Sequence, residues 1–213
     1  MRSIIAFLKW LGFVLGIIGI SLIQPIVFLF TKGTKSYIVP YYFHNIWRMT
    51  FAVKYVVKGT PCVDKDKQVL YMGNHISYLD IPVVGSVIRA SFVAKSEVDG
   101  WPLAGFLCSL QQTAFIQRKQ SKMMEEKNKL QTRIDDGDSL IIFPEGTSTS
   151  GFEVLPFKSS LFMLALGENN DNLYIQPFTI RVLKVDGKTP ANKDEQDIYA
   201  WPRDVDIDLH HHL

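Results

Sequence analysis

The chain has 213 residues, 47% of them hydrophobic and 21% charged, which excludes a disordered protein and fits one domain with a modest appendage. Its two cysteines, Cys62 and Cys108, are too few for a disulfide framework or a four-cysteine zinc site. The net charge of +2 is unevenly distributed, because residues 1–60 hold seven basic residues and no acidic residue. A segment that is apolar and purely basic favours an anionic membrane surface. Nucleic acid would also attract the charge, but it does not account for the apolar residues.

Residues 11–30 form a run of 20 residues without a charge, about the length of a helix that crosses a hydrocarbon core of roughly 30 Å. Gln24 and Pro25 interrupt the run, so a straight span and a kinked or shallow helix both remain open. A cleaved signal peptide is a further alternative, although the run is long for one and no small-residue cleavage site follows it.

A second N-terminal stretch, residues 41–57, mixes aromatic and basic side chains. This mixture is typical of the headgroup level of a membrane, and equally of an amphipathic helix packed on a domain. Because Pro40 separates the two stretches, they predict a two-helix membrane anchor over residues 1–60.

Residues 61–213 alternate between strand and helix patterns, which predicts a second unit with an α/β fold. We expect a central mixed sheet flanked by helices. The predicted strands are residues 68–72, 91–94, 113–117, 139–143 and 174–183, and the predicted helices are residues 79–89, 102–110, 119–136 and 158–166. Residues 186–197 are predicted to form an exposed loop, and no metal is assigned to the histidines at 210–212.

The first candidate site follows the first predicted strand, where His75 and Asp80 lie five residues apart. Five residues on a continuous helix leave two side chains roughly 140° apart, so the pair meets only if the chain bends between them. Asp80 could then hold one imidazole nitrogen while the other acts as a general base toward a substrate hydroxyl. The alternative is a structural histidine that caps the helix.

Two further sites also follow predicted strands. Residues 143–151 are rich in small side chains, whose backbone amides can cradle an anion, although a plain surface turn would have the same composition. No Gly-Lys-Ser/Thr ending is present, so this is not a nucleotide P-loop. Lys95 and Arg118 each follow a predicted strand, where two cations suit a phosphate-bearing substrate, unless they are ordinary surface charges.

Taken in order, these motifs resemble the conserved blocks of the glycerolipid acyltransferase family, and most closely the bacterial 1-acylglycerol-3-phosphate acyltransferases. The resemblance covers about residues 70–180, and the N-terminal anchor is similar too. The matching blocks are Asn74-His75-x4-Asp80, Lys95-x-Glu97, Phe115-Ile116-x-Arg118, Phe143-Pro144-Glu145-Gly146-Thr147 and Ile175-Gln176-Pro177.

The resemblance implies a role for each matched position. His75 would deprotonate the acceptor hydroxyl and Asp80 would orient it, without an acyl-enzyme intermediate. Lys95 would help to stabilise the oxyanion. The remaining matched residues would bind substrate, and they are Asn74, Arg118, Glu145, Gly146 and Thr147. The implied donor is acyl-CoA or acyl-carrier protein, and the implied reaction acylates the sn-2 hydroxyl of 1-acylglycerol 3-phosphate to give phosphatidic acid. No cofactor, metal or nucleic acid is expected.

Three positions depart from the family pattern and put the acceptor in doubt. Ser148 stands where the family usually has an arginine, Gln117 where it often has an aspartate, and Gln112 where it often has a glycine. The less cationic site would also suit lyso-ornithine lipid or another lysophospholipid. A hydrolase and a catalytically inactive lipid-binding protein are further alternatives. The implied location is the cytoplasmic face of the bacterial inner membrane.

Overall fold

Five α-helices and five strands make up the ordered framework of the residues that the structure describes. The structure is a computed structural model that describes residues 2–62, 67–117, 119–164, 173–185, 187–192, 195 and 199–200. The helices are α1 (Arg2–Phe30), α2 (Ile38–Thr50), α3 (Asp80–Gly85), α4 (Pro102–Leu110) and α5 (Met123–Asp135). The strands are β1 (Gln68–Gly73), β2 (Ser91–Lys95), β3 (Ala114–Ile116), β4 (Leu140–Ile142) and β5 (Leu173–Phe178). Short 3-10 helices at Gly33–Tyr37, Ser96–Gly100, Gln120–Lys122 and Ser159–Leu164 complete the list.

The sheet has the strand order β3-β2-β4-β1-β5, and all four of its described pairings are parallel. The predicted α/β class is therefore confirmed, whereas the mixed sheet is wrong. Helical segments connect β1 to β2, β2 to β3 and β3 to β4, and such crossovers return the chain to the same edge of the sheet, so that successive strands run in one direction. The predicted fifth strand, residues 174–183, ends at Phe178, where the chain leaves the sheet.

Strands β1 to β4 are buried or half-buried on both faces, as expected for parallel strands rich in Val, Ile and Leu, whereas β5 leaves Tyr174 and Ile175 exposed. Alternation along the strands sends Leu70 and Leu140 to one face, where α5 packs. Val69 and Ile141 point to the opposite face, where α3 packs. The predicted helix at 119–136 begins later, at Met123, and the predicted helix at 158–166 is a 3-10 helix as far as Leu164, beyond which it lies outside the described residues.

Among the described residues, one of the two N-terminal stretches forms a helix long and apolar enough to cross a membrane, and the part of the second stretch in the anchor stays a prediction. Helix α1 continues through Pro25, and its segment Phe7–Phe30 is long and apolar enough to cross a membrane, with 17% of it buried. Helix α2 has 13 residues and ends at Thr50, and it buries Phe43 and His44 against the rest of the molecule. The predicted division at residue 60 stays a prediction.

The packing of α2 depends on His44. Its Nε2 atom lies 2.9 Å from the Oε1 atom of Gln111, and a Cβ atom at Gly85 of α3 would come within 2.3 Å of its ring. Burial lowers the pKa of His44 to about 4, so the ring is neutral at physiological pH. A glycine in α3 and a neutral imidazole in α2 therefore allow these two helices to meet.

Candidate active site

The candidate site lies at the carboxyl ends of β1, β4 and β2, which are neighbours in the sheet. Ligands of open α/β folds bind at this edge, because the loops that leave parallel strands converge there. The loop after β1 carries His75, and the loop after β4 carries Glu145, Gly146 and Thr147. Lys95 is the last residue of β2. The sheet topology therefore brings together motifs that lie up to 73 residues apart in the sequence.

His75 and Asp80 form the bent pair that the motif requires. The Nδ1 atom of His75 lies 2.8 Å from the Oδ2 atom of Asp80. The same oxygen accepts the backbone N–H groups of Ile76 at 2.7 Å and Ser77 at 2.9 Å, which folds the chain back between the two side chains. Asp80 is fully buried. The carboxylate thus shapes the turn and orients the imidazole with the same atom.

The imidazole of His75 is held flat against Phe143, the residue after β4. The two ring centroids are 4.3 Å apart and the ring planes differ by 13°. The side chain of His75 is 20% exposed, so it remains accessible to a substrate. Because Nδ1 bonds to Asp80, Nε2 is the nitrogen positioned to take a proton from a substrate.

Tyr199 is a member of the site that the sequence did not reveal. Its hydroxyl donates to the Oδ1 atom of Asp80 at 3.2 Å, across 119 residues of sequence. Burial, together with the negative charge of Asp80, raises the pKa of Tyr199 well above its usual value, so the hydroxyl stays a donor. A lone tyrosine after a polar loop carries no signal that would have identified it.

Glu145 holds the two catalytic loops together. Its Oε1 atom accepts the backbone N–H of His75 at 2.9 Å, and its Oε2 atom accepts that of Leu155 at 2.8 Å. The carbonyl of His75 accepts the backbone N–H of Thr149 at 2.9 Å. Both backbone groups of His75 are therefore bonded to the loop after β4. This geometry gives Glu145 a positioning role, while its predicted contact with substrate stays a prediction.

Asn74 ties the start of the catalytic loop to the segment after β5. Its amide donates to the carbonyl of Ile180 at 3.0 Å and accepts the N–H of Ile180 at 2.7 Å. The side chain is nearly buried, at 9% exposure. Asn74 therefore acts within the protein in this structure, and its predicted part in substrate binding also stays a prediction.

A pocket of about 400 Å³ adjoins the loop of His75 through Glu145, which lines the pocket and accepts the backbone N–H of His75. The pocket is lined by predicted and unpredicted residues. Lys95, Glu145, Gly146 and Thr147 were all predicted for the site. Lys158 joins them as a second lysine that sequence reasoning placed in a helix instead. The remaining lining residues are Glu97, Leu155 and Pro156. Arg118 lies outside the described residues, so its predicted role in substrate binding stays a prediction.

The pocket combines opposite charges in a small volume. Lys95 and Lys158 bring two ammonium groups, and Glu97 brings a carboxylate besides that of Glu145. Gly146 has a φ of 76°, a left-handed conformation that favours glycine at this turn. Among the residues described, no group of three or more His, Cys, Asp or Glu side chains is arranged to hold a metal ion.

Comparison with known proteins identifies the class to which this fold and site belong. The model of the Acyltransferase family matches residues 54–181, and the chain belongs to this family of glycerolipid and lysophospholipid acyltransferases. The resemblance drawn from the sequence motifs is thereby confirmed.

Individual relatives refine the picture. A lyso-ornithine lipid O-acyltransferase of Rhizobium meliloti (strain 1021) is 32% identical over 81% of this chain, and a 1-acyl-sn-glycerol-3-phosphate acyltransferase of Neisseria gonorrhoeae is 31% identical over 66% of it. The chain spans 60% and 54% of the lengths of these two relatives. The crystal structure of the 1-acyl-sn-glycerophosphate (LPA) acyltransferase PlsC from Thermotoga maritima has a TM-score of 0.56 at 22% identity, covering 92% of this chain and 91% of that one. This last likeness supports the fold.

Proposed function

We propose that the protein is a membrane-associated O-acyltransferase that moves a fatty acyl group from a thioester to the free hydroxyl of a lysolipid. The observation that carries the proposal is the pair formed by His75 and a fully buried Asp80, joined through Glu145 to a pocket lined by Lys95 and Lys158. The donor is acyl-CoA or acyl-carrier protein. The reaction needs no acyl-enzyme and no resident metal or cofactor.

The geometry suggests the following steps. The acceptor hydroxyl binds at Nε2 of His75, which takes its proton as the oxygen attacks the thioester carbonyl carbon. Asp80 stabilises the imidazolium that forms. When the C–S bond breaks, the departing thiolate receives the proton back, so the products are an ester and a free thiol. Lys95 stabilises the oxyanion in this scheme.

The substrate groups lie on the neighbouring loops in this proposal. Gly146 and Thr147, with Arg118, bind the acceptor head group, while Asn74 and Glu145 hold the loops that shape the pocket. Lys158 supplies a cation from the same wall. The hydrolase and inactive-scaffold alternatives lack a supporting observation of this kind.

Lyso-ornithine lipid is the acceptor that we favour. Ser148 replaces an arginine expected from the family pattern, so the site has one cation fewer and suits a zwitterionic head group better than a phosphate monoester. The name of the Rhizobium meliloti relative agrees with this choice. The second candidate is 1-acylglycerol 3-phosphate, giving phosphatidic acid, which the name of the Neisseria gonorrhoeae relative favours.

The proposed location is the cytoplasmic face of the bacterial inner membrane. The apolar helix α1 favours attachment to a bilayer, and an anionic one is favoured because all charged residues among residues 1–60 are basic. A lysolipid acceptor resides in the bilayer and a thioester donor is water-soluble, so a membrane-attached domain on the cytoplasmic side reaches both.

An acyl-transfer assay in vesicles tests the proposal. Labelled acyl-CoA and acyl-carrier protein are offered with lyso-ornithine lipid, 1-acylglycerol 3-phosphate, glycerol 3-phosphate or neutral lysophospholipids. We expect transfer to lyso-ornithine lipid, and a rate about 10²–10⁴-fold lower for His75→Ala at an unchanged unfolding temperature. An active His75→Ala enzyme would contradict the mechanism, and accumulation of free fatty acid would indicate a hydrolase.

A matched pair of variants tests the acceptor. Ser148→Arg should raise activity toward 1-acylglycerol 3-phosphate relative to lyso-ornithine lipid, because it adds the missing cation. Ser148→Gln enlarges the same side chain without a charge and should leave the ratio unchanged. If both variants had the same ratio of activities toward the two acceptors, the residue at position 148 would not set the acceptor preference.

A further inference from the structure

Helix α4 carries one apolar stripe that is half covered and half open. Leu103, Phe106, Leu107 and Leu110 lie three or four residues apart and so share one face of the helix. Leu107 and Leu110 pack in a cluster with Phe13 and other apolar residues of α1 and α2. Leu103 and Phe106 are 55% and 45% exposed, and Trp101, which immediately precedes the helix, is 59% exposed. We call Trp101, Leu103 and Phe106 the α4 apolar surface.

The α4 apolar surface continues the exposed apolar surface of α1. Most of the segment Phe7–Phe30 is unburied, and the stripe on α4 emerges directly from its contact with α1. Residues 101–117 contain no charged side chain, so no charge in this segment opposes contact with an apolar phase. Tryptophan at the outer end of such a surface is typical of the interface between a bilayer and water.

The α4 apolar surface is also held rigidly next to the pocket. Helix α4 directly follows the 3-10 helix Ser96–Gly100, which contributes Glu97 to the pocket wall. The Gly105 position contacts this 3-10 helix so closely that a Cβ atom there would lie 2.1 Å from the carbonyl oxygen of Asp99. Any partner that binds the α4 apolar surface is therefore held at a fixed position relative to the pocket.

We propose that the α4 apolar surface docks on the same bilayer leaflet that α1 enters, as a second and separate membrane contact. The occupant is lipid rather than a second copy of the chain, because the surface is continuous with a helix of membrane length. The docked pocket opens at the level of the lipid head groups. A lysolipid then enters it from the leaflet without passing through water; this last step rests on the proposed function, whereas the docking does not.

Fluorescence quenching tests the docking directly, with the full chain in vesicles that contain anionic lipid. The difference between wild type and Trp101→Phe isolates the emission of Trp101. We expect this emission to be quenched by lipids brominated near the head group and protected from aqueous iodide. Emission that iodide quenches and brominated lipid leaves unchanged would overturn the proposal, whatever reaction the enzyme catalyses.

Kinetics provide a second readout with a matched control. Leu103→Glu places a charge in the α4 apolar surface, and Met124→Glu makes a similar change at an exposed residue of α5, outside that surface. We expect the KM for a bilayer-embedded lysolipid to rise about tenfold in Leu103→Glu alone, as the loss of one buried leucine predicts, while a short-chain soluble acceptor is used normally. An unchanged KM, or an equal rise in Met124→Glu, would overturn the proposal.

Discussion

Replacing Asp80 with asparagine would remove the negative charge beside His75 while keeping the shape of the side chain. The Oδ2 position accepts two backbone N–H groups, from Ile76 and Ser77, so only an oxygen fits there. The amide NH2 group would then face the hydroxyl of Tyr199. In this orientation the amide oxygen still accepts the Nδ1–H of His75, and the tautomer is retained. The substitution therefore tests the charge alone.

The size of the effect follows from the distance between the two groups. Two unit charges 2.8 Å apart attract each other by about 6 kcal/mol at an effective dielectric constant of ~20. Both charges are delocalised, and the amide dipole retains part of the attraction, so we expect a loss of about 3 kcal/mol, or about a hundredfold in kcat. Asp80→Ala also removes the orientation of the ring and should cost about 10³–10⁴-fold.

Initial rates of acyl transfer, measured together with the unfolding temperature of each variant, would check that Asp80→Ala lowers the rate more than Asp80→Asn does. A rate for Asp80→Asn within about threefold of wild type, at an unchanged unfolding temperature, would refute the role of the charge. A rate as low as that of Asp80→Ala would show instead that the amide reverses and that the wrong tautomer forms.

Three further predictions concern residues that the tertiary structure brings into play. Tyr199→Phe should lower kcat severalfold at an unchanged KM, because Asp80 loses the hydroxyl donor that helps to fix its carboxylate; an unchanged kcat would limit Tyr199 to packing. Because the folded-state pKa of His44, about 4, lies below its ordinary 6.5, the unfolded chain binds more protons between these values. His44 should therefore lower the free energy of unfolding by about 1.4 kcal/mol for each pH unit as the pH falls through this window. Chemical unfolding at pH 7.5 and 4.5 should show a smaller difference in this free energy for His44→Gln than for wild type. Gln112→Gly should raise the free energy of unfolding by about 1 kcal/mol, because Gln112 has a φ of 53° that glycine adopts without strain; a lower unfolding midpoint would contradict this.

Local sequence patterns identified most of the elements that build the fold. Apolar runs located all five described strands, because the strands of a sheet covered on both faces must be apolar throughout. The mixed sheet was wrong because strand direction depends on the crossovers, and a short apolar run fits a buried strand of either direction. Whether the second N-terminal stretch belongs to the anchor stays a prediction, because aromatic and basic residues suit a membrane interface and a packed helix equally.

The sequence alone determined the chemical groups of the site, whereas the tertiary structure decided how they are supported. His75 and Asp80 were identifiable because they lie five residues apart in one motif, so a single bend of the chain joins them. Tyr199 and Lys158 come from distant segments, and no local pattern marks a residue whose partner is brought close only by folding. Glu145 shows the same limit: its place in the motif was evident, but its bond to the backbone N–H of His75 exists only because parallel pairing of β1 and β4 sets their loops side by side.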